Sequence, residues 1–202
     1  MTHVLIPCKP LDLGKSRLAG ALDSGSRRRL CERMLRQTLT SAVGATGAER
    51  VRVISSDIDV HRIAATYDVA AMVDTGHDLN STLDRARREW LGGPAKITRL
   101  VILPIDLMYI NARTLRRVAA EPGPMVIVPD RRADGTNLLA LDLSLAAELP
   151  FRYGPGSFSA HLEQARSRGI ASRVLIDDDA ERDIDEPADY QGWLRQRGGL
   201  EG

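Results

Sequence analysis

Along the 202-residue chain, short apolar runs alternate with longer amphipathic ones. His3 to Pro7 (HVLIP) is an apolar run of strand length, and a polar loop, Cys8 to Ser16, follows it. From Arg27 to Val43 the residues Leu30, Met34, Leu35, Leu39 and Val43 recur at the spacing of one helical face. Arg50 to Ser55 alternates like a strand, Asp59 to Tyr67 predicts a short helix, and Val69 to Val73 another strand. Asp78 to Leu91 suits a helix closed by Gly92-Gly93-Pro94, residues that interrupt helices. Arg99 to Pro104 (RLVILP) is the strongest strand, apolar throughout and so suited to cover on both faces. Asn111 could cap a helix through Ala120, and Met125 to Pro129 and Asn137 to Leu141 predict further strands. Ser157 to Arg168 reads as helix, Arg173 to Ile176 as a last strand, and Pro187 to Arg197 as a terminal helix with proline in its first turn.

Strands separated by helices predict an α/β fold: a mainly parallel sheet with helices on both faces, in one domain spanning residues 1–202. Composition fits this, with 43% hydrophobic and 27% charged residues, globular proportions that exclude wholesale disorder. Aromatic residues are only 4%, too few for a platform on which nucleic-acid bases stack. The net charge of +1 provides no field to hold a polyanion or an anionic membrane, so an anionic ligand has to be small and held locally. With two cysteines and no apolar run of the roughly 18 residues that span a bilayer, the expectation is a soluble, reduced, cytoplasmic protein with no nucleic-acid or membrane partner. Nearly all the positive charge is arginine, and two of the three lysines, Lys9 and Lys15, fall on the first loop.

In open α/β sheets, ligands collect outside the carboxyl ends of the strands. Four loops at such ends are rich in polar residues: Cys8 to Arg17, Asp106 to Asn111, Asp130 to Asn137 and Asp177 to Asp185. Gly14-Lys15-Ser16 suggests a phosphate loop, but that motif needs a glycine with four residues between it and Gly14. Lys9 stands there, and Pro10 has no N–H to offer. What survives is a pair of lysines with Arg17, placed to neutralise a polyphosphate by charge and not by packing. Asp106 reads either as a Mg²⁺ ligand or as a helix cap or turn residue. Asp185 is its natural partner, because one carboxylate rarely holds a catalytic Mg²⁺. The acidic run of Asp177, Asp178, Asp179 and Glu181 reads as a solvated turn. Asp134-Gly135-Thr136-Asn137 reads as a turn, while Gly154-Pro155-Gly156-Ser157 opens a helix and could offer N–H groups and a Ser157 cap to an anion. His3, His61, His77 and His161 show no zinc spacing with each other or with Cys8 and Cys31.

Several stretches fall in a known order: Ile6-Pro7-Cys8-Lys9-Pro10 with Gly14 to Leu18, Leu79-Asn80, Leu103-Pro104-Ile105-Asp106-Leu107, and Val128 to Arg131 with Gly135-Thr136-Asn137. Tyr153 to Phe158 and Asp183-Ile184-Asp185-Glu186-Pro187-Ala188-Asp189 complete the series. In this order they resemble the phospholactate and phosphoenolpyruvate guanylyltransferases of deazaflavin-coenzyme biosynthesis. The resemblance implies a Rossmann-like sheet, mixed but mainly parallel, of the nucleotide-diphospho-sugar transferase kind. It implies transfer of GMP from GTP to phospholactate, phosphoenolpyruvate or phosphoglycerate with release of pyrophosphate. Mg²⁺ on Asp106 and Asp185 would be the cofactor, and Lys9, Lys15 and Arg17 the charge-neutralising catalytic groups. Pro7, Lys9, Lys15, Asn80, Pro104 and Asp106 would bind the nucleotide, and Thr136, Gly154 and Ser157 the acceptor acid; a homodimer is compatible with this reading and not required by it. The chain departs from the family pattern at Ile105, Met108, Ala133-Asp134 and Asp78, and Asp134 puts a carboxylate near the expected acceptor. Two other readings stand beside this one: a P-loop phosphotransferase or NTPase, and a non-catalytic nucleotide-binding module.

Overall fold

Parallel pairing organises the first half of the chain. In the computed structural model, which describes residues 1–75, 78–93 and 96–198, strand β1 (Thr2–Pro7) lies between β2 (Val51–Ser55) and β4 (Arg99–Ile102), with β3 (Ala70–Val73) outside β2. Beyond β4 come β6 (Thr136–Asp142), β5 (Met125–Pro129) and β7 (Ser172–Val174), giving a seven-stranded sheet in the order β3-β2-β1-β4-β6-β5-β7. Only β6 runs antiparallel to its neighbours β4 and β5. The cause is the short link 130–135, which permits a hairpin but not the crossover of a dozen or more residues that a parallel return needs. The other strands point their carboxyl ends at one edge, and the 130–135 hairpin turns over at that same edge.

Side chains along each strand alternate between two apolar layers, as period-two geometry requires. Val4, Ile6, Val53, Val101 and Val126 pack under α1 (Ser24–Thr46), α2 (Ile58–Ala65) and α4 (Ala112–Ala120), whose Leu35, Leu39, Val60 and Leu115 share their cluster. Leu5, Ile54, Leu100, Ile102 and Ile127 face the other way, against Leu83 and Trp90 of α3 (Leu79–Leu91) and Ala165 of α5 (Ser157–Ser167). A third cluster joins Leu18, Leu30, Met34, Met108, Ile184 and Trp193, and so fastens the first loop, α1, the segment after β4 and α6 (Pro187–Gly198) to one another. Leu18 is fully buried there. Truncating it to alanine should cost about 2–5 kcal/mol and loosen the first loop.

Predicted and observed elements differ mainly at their ends. Helix α1 begins at Ser24 and not Arg27, because Asp23 accepts a hydrogen bond from Ser26 N at 2.7 Å and caps the helix a turn earlier. Helix α2 stops at Ala65, before Tyr67, and Asp68 adopts a left-handed φ of 56°. Asn111 caps α4 as predicted, accepting from Arg113 N and Thr114 N. The last strand sits slightly earlier than predicted, at Ser172–Val174. Pro94 of the predicted helix stop, and His77, lie outside the described residues. Among the described residues no helix is long and apolar enough to cross a membrane.

Candidate active site

The first loop leaves β1 and folds across the carboxyl edge of the sheet in two single tight helical turns, Leu11–Leu13 and Ser16–Leu18. Between them Gly14 presses on α1: a Cβ there would lie 2.4 Å from Cys31 Sγ, so only glycine fits. Lys15 follows with φ +53°, a left-handed conformation that costs a non-glycine residue roughly 1 kcal/mol or more. The twist drives its side chain inward, where it is only 8% exposed. Lys15 Nζ donates to Asp106 Oδ2 at 3.0 Å and to Asp185 Oδ1 at 2.7 Å, and Arg17 Nη1 reaches Asp185 Oδ2 at 3.0 Å. Residues from three distant parts of the sequence therefore share one ionic cluster.

The backbone around the cluster fixes both carboxylates. Ile184 N donates to Asp106 O at 3.2 Å, locking the segment after β4 to the acidic C-terminal loop. Asp189, in the first turn of α6, accepts from Asp185 N at 3.2 Å and from Glu186 N at 2.7 Å, so it reaches back from the helix and ties down the backbone of Asp185. Since Asn111 caps α4, Asp106 is not spent on a helix end. Burial lowers the affinity of Lys15 for its proton, but Asp106 and Asp185 outweigh that effect and raise its pKa. For Asp185, burial acts upward and is overcome by Lys15 and Arg17, which hold the carboxyl below its ordinary range. Neighbouring Asp183 is pushed up to about 6, first by burial and then by Asp106 and Asp185.

This cluster borders a cavity of about 550 Å³ lined also by Pro7, Lys9, Arg17 and Pro104 from the predicted set, and by Ile54, Asp74, Thr82 and Tyr153. Asn80 does not line it. Its side chain instead grips Tyr153, accepting from Tyr153 N at 2.7 Å and donating to Tyr153 O at 3.0 Å. Asp106 Oδ2 and Asp185 Oδ1 converge on one cation, the Lys15 ammonium, while Asp185 Oδ2 takes Arg17. Among the described residues no three His, Cys, Asp or Glu are grouped to hold a metal by themselves. The two carboxylates are oxygen donors of the kind that could hold a hard ion such as Mg²⁺, which takes one or two carboxylates and completes its shell with substrate phosphates and water.

Thr136, Gly154 and Ser157 are brought together in a second group that does not line the cavity. Thr136 N donates to Ser157 Oγ at 2.9 Å, and Thr136 Oγ1 lies 3.0 Å from His161 Nδ1. Because His161 Nε2 accepts from Arg152 N at 2.9 Å, the ring proton sits on Nδ1 and points at Thr136 Oγ1. All three side chains are buried, and burial lowers the His161 pKa to about 4. Ser157 is the first residue of α5 and not its cap; Gly156, with φ +66°, occupies the cap position. Gly154 has φ +139°, which disfavours any side chain there. The Asp134 carboxylate turns toward this loop, 3.4 Å from Gly156 N.

Two acidic residues have roles that the sequence pattern did not suggest. Asp177, expected in a solvated turn, is buried: it accepts from Asp179 N and Ala180 N and pairs with Arg117. Asp130 shapes the hairpin by accepting from Arg132 N, Asp134 N and Gly135 N. An aspartate directly before a Gly-containing loop was the available signal for this.

A family model described as guanylyl transferase CofC-like matches residues 2–194. The chain is 38% identical over 200 residues to a phosphoenolpyruvate guanylyltransferase of Rubrobacter xylanophilus, covering 98% of this chain and 95% of that one. It is 37% identical over 193 residues to a phosphoenolpyruvate guanylyltransferase of Sphaerobacter thermophilus, covering 94% and 91%. Among solved structures, a protein described as a nucleotide-diphospho-sugar transferase from Desulfovibrio desulfuricans superposes with a TM-score of 0.74 at 13% identity, over 96% of this chain and 87% of that one. A nucleotidyl transferase from Methanothermobacter thermautotroptrophicus gives 0.69 at 16% identity, over 97% and 99%. At such identities the structural likeness is one of fold.

Proposed function

Because the chain belongs to the CofC-like guanylyl transferase family, we propose that it transfers GMP from GTP to a small phosphorylated three-carbon acid, releasing pyrophosphate, in deazaflavin-coenzyme biosynthesis. The observation that carries this reading is the Lys15 ammonium held between Asp106 and Asp185 in the wall of a cavity that Lys9 and Arg17 also line. The acceptor already carries its nucleophile, an anionic phosphate oxygen. That oxygen attacks the α-phosphorus of GTP, one P–O bond forms, the bond to the β-phosphate bridge oxygen breaks, and pyrophosphate leaves with the electron pair. No side chain needs to become a nucleophile, so the protein has to align the reactants and offset charge.

Asp106 and Asp185 would hold Mg²⁺, which when bound supplies charge neutralisation between phosphate oxygens. A triphosphate entering the cavity gives Lys15 new anionic partners and frees both carboxylates from it. Lys9, Lys15 and Arg17 then face the charge that grows on the leaving pyrophosphate. Gly154 and Ser157, in the loop that opens α5, and Thr136 beside them would take the acid: a hydroxyl that accepts from Thr136 N can still donate to an anion.

The test is an incubation with Mg²⁺, GTP and, separately, phospholactate, phosphoenolpyruvate and 3-phosphoglycerate. Pyrophosphate released only when one of the acids is present supports the reading. Orthophosphate release without an acid would identify a nucleotide hydrolase instead, and no release with any acid contradicts the assignment.

A further inference from the structure

The loop assigned to the acid starts directly after Tyr153, and Tyr153 is held by a side chain 73 residues earlier in the chain, Asn80 in the first turn of α3. The Asn80 amide oxygen accepts from Tyr153 N at 2.7 Å, and the amide nitrogen donates to Tyr153 O at 3.0 Å. One planar amide therefore engages both backbone groups of one residue, which fixes its orientation as well as its distance. The Tyr153 side chain adds only packing: its ring meets His161 edge-on with centroids 5.0 Å apart, and among the described residues its buried hydroxyl has no hydrogen-bond partner.

Helix α3 grips the same segment again two turns later. Buried Arg87 donates from Nη1 to Leu149 O at 2.7 Å, and its guanidinium lies 5.0 Å from the centre of the Phe151 ring. Residues seven apart share a helical face, so the 149–153 segment runs along one face of α3. The first turns of that helix also border the cavity, through Leu79 and Thr82, and so does Tyr153 itself. Asn80, which does not line the cavity, ties this wall to the start of the Gly154–Ser157 loop.

Gly154 and Gly156 have φ of +139° and +66°. A loop with two glycines in such conformations keeps its shape only while both of its ends are held, because glycine itself resists rotation so little. The Ser157 end is held at Thr136 and the Tyr153 end at Asn80. We propose that Asn80 is a positioning residue for the acceptor: without touching the nucleotide, it holds Tyr153 so that Gly154 and Ser157 meet the acid at a set distance from the nucleotide cavity. This rests on the guanylyl-transfer reading. The Leu79-Asn80 motif by itself suggested a nucleotide contact, whereas the geometry makes the opposite kinetic prediction. Loss of Asn80 is read in the use of the acid and not in the affinity for GTP, since a misplacement of about 1 Å is enough to cost on the order of a hundredfold in rate.

Three measurements on the full chain, unsubstituted and as Asn80→Ala and Asn80→Asp, test this: steady-state pyrophosphate release with the acid and GTP varied in turn, isothermal titration with GTP and Mg²⁺, and hydrogen exchange by mass spectrometry over residues 150–158. Asn80→Asp is nearly isosteric and still accepts from Tyr153 N, but it sets a carboxylate oxygen against Tyr153 O. Both variants should raise the KM of the acid about tenfold or more and speed amide exchange in the loop by a similar factor, while the Kd of GTP stays within about threefold. A merely structural asparagine would lower the melting temperature without separating acid from nucleotide. An unchanged KM for the acid in the folded variants would overturn the proposal, and so would a tenfold loss of GTP affinity with normal use of the acid, the signature of a nucleotide ligand. If Asn80→Ala does not fold, Asn80→Asp decides. Pyrophosphate from none of the acids with the unsubstituted protein would contradict guanylyl transfer and with it the role toward the acid. Faster loop exchange in the variants would then still uphold Asn80 as the anchor of Tyr153, and unchanged exchange would overturn that as well.

Discussion

Around Lys15 the polar groups face a cavity; around Thr136, at the same edge of the sheet, they face one another. In the first region a cation and two carboxylates from the beginning, middle and end of the chain meet at 3.0 and 2.7 Å, with the carboxylates still 28% and 38% exposed. In the second, Thr136, Ser157 and His161 are buried and their side chains are bonded within the group. Both regions carry residues of the motifs read from the sequence, yet their side chains are engaged differently. The first can exchange one set of ionic partners for another when a charged ligand enters. The second is a frame whose hydrogen bonds set the shape of the Gly154–Ser157 loop.

The sharpest way to break this contrast is to remove a carboxylate from the open region. Asp106→Asn or Asp185→Asn should each lower the rate of pyrophosphate release by about a thousandfold or more, several kcal/mol of transition-state stabilisation, while the protein stays folded by circular dichroism and loses less stability than Lys15→Met, because Lys15 keeps one carboxylate partner. Near-normal turnover in either variant would show that its carboxylate is not a metal ligand.

Lys15→Met comes next. Turnover should fall by about a hundred- to a thousandfold, the scale of removing one preorganised charge. The sequence alone gives Lys15 a part in charge neutralisation and none in packing, but its burial between two carboxylates predicts a loss of stability as well. That loss should be roughly 1–3 kcal/mol, less than for a fully buried pair because solvent screens Asp185. Added Mg²⁺ should raise the melting temperature of Lys15→Met more than that of the unsubstituted protein, since the metal replaces the missing cation. An unchanged melting temperature in the variant, with or without Mg²⁺, would contradict the bridging role.

The closed region is probed by pH. With a folded pKa near 4 and an unfolded value of 6.5, His161 is neutral in the folded protein but takes up a proton on unfolding below pH 6.5. Its contribution to stability is therefore complete above pH 6.5 and drains away as pH falls toward 4. Urea unfolding should lose about 2 kcal/mol from this residue between pH 7.5 and pH 5, and His161→Gln should flatten that part of the profile. A profile identical in the variant would mean that the imidazole titrates freely.

Ser157→Ala should have the smallest effect. It leaves the buried Thr136 N–H without its acceptor, costing about 1–2 kcal/mol in thermal unfolding, with GTP affinity unchanged. A shift in GTP affinity larger than threefold would show that the two regions are not separate.

How far the sequence revealed these two regions follows from the range of the interactions. Strand β4 was legible because Leu100 to Ile102 are apolar in succession, and α4 because Asn111 is a capping residue directly before an amphipathic stretch. The start of α1 was hidden in a polar segment where only the Asp23 side chain marks it. That β6 runs antiparallel depends on the brevity of the 130–135 link, a cue that hydrophobic periodicity does not carry. Motif order pointed to Lys15, Asp106 and Asp185, but not to their meeting, because Lys15 and Asp185 are 170 residues apart and only the sheet's common edge brings them together. Burial of Asp177 and the Thr136–Ser157–His161 frame were illegible for the same reason: an isolated hydroxyl, imidazole or carboxylate reads alike whether it faces solvent or a partner. Asp74 sits in a segment with no motif, and its place is set by the neighbouring strand and by Thr82 on the next helix.

The most direct test of guanylyl transfer is phosphorus NMR of the complete reaction with Mg²⁺, GTP and phosphoenolpyruvate, phospholactate or 3-phosphoglycerate. With the accepted acid, the three GTP resonances and the monoester resonance should give way to free pyrophosphate and a pair of mutually coupled signals from a new P–O–P bridge between GMP and the acid. Inorganic phosphate with GDP, and no such coupled pair with any of the three acids, would contradict it.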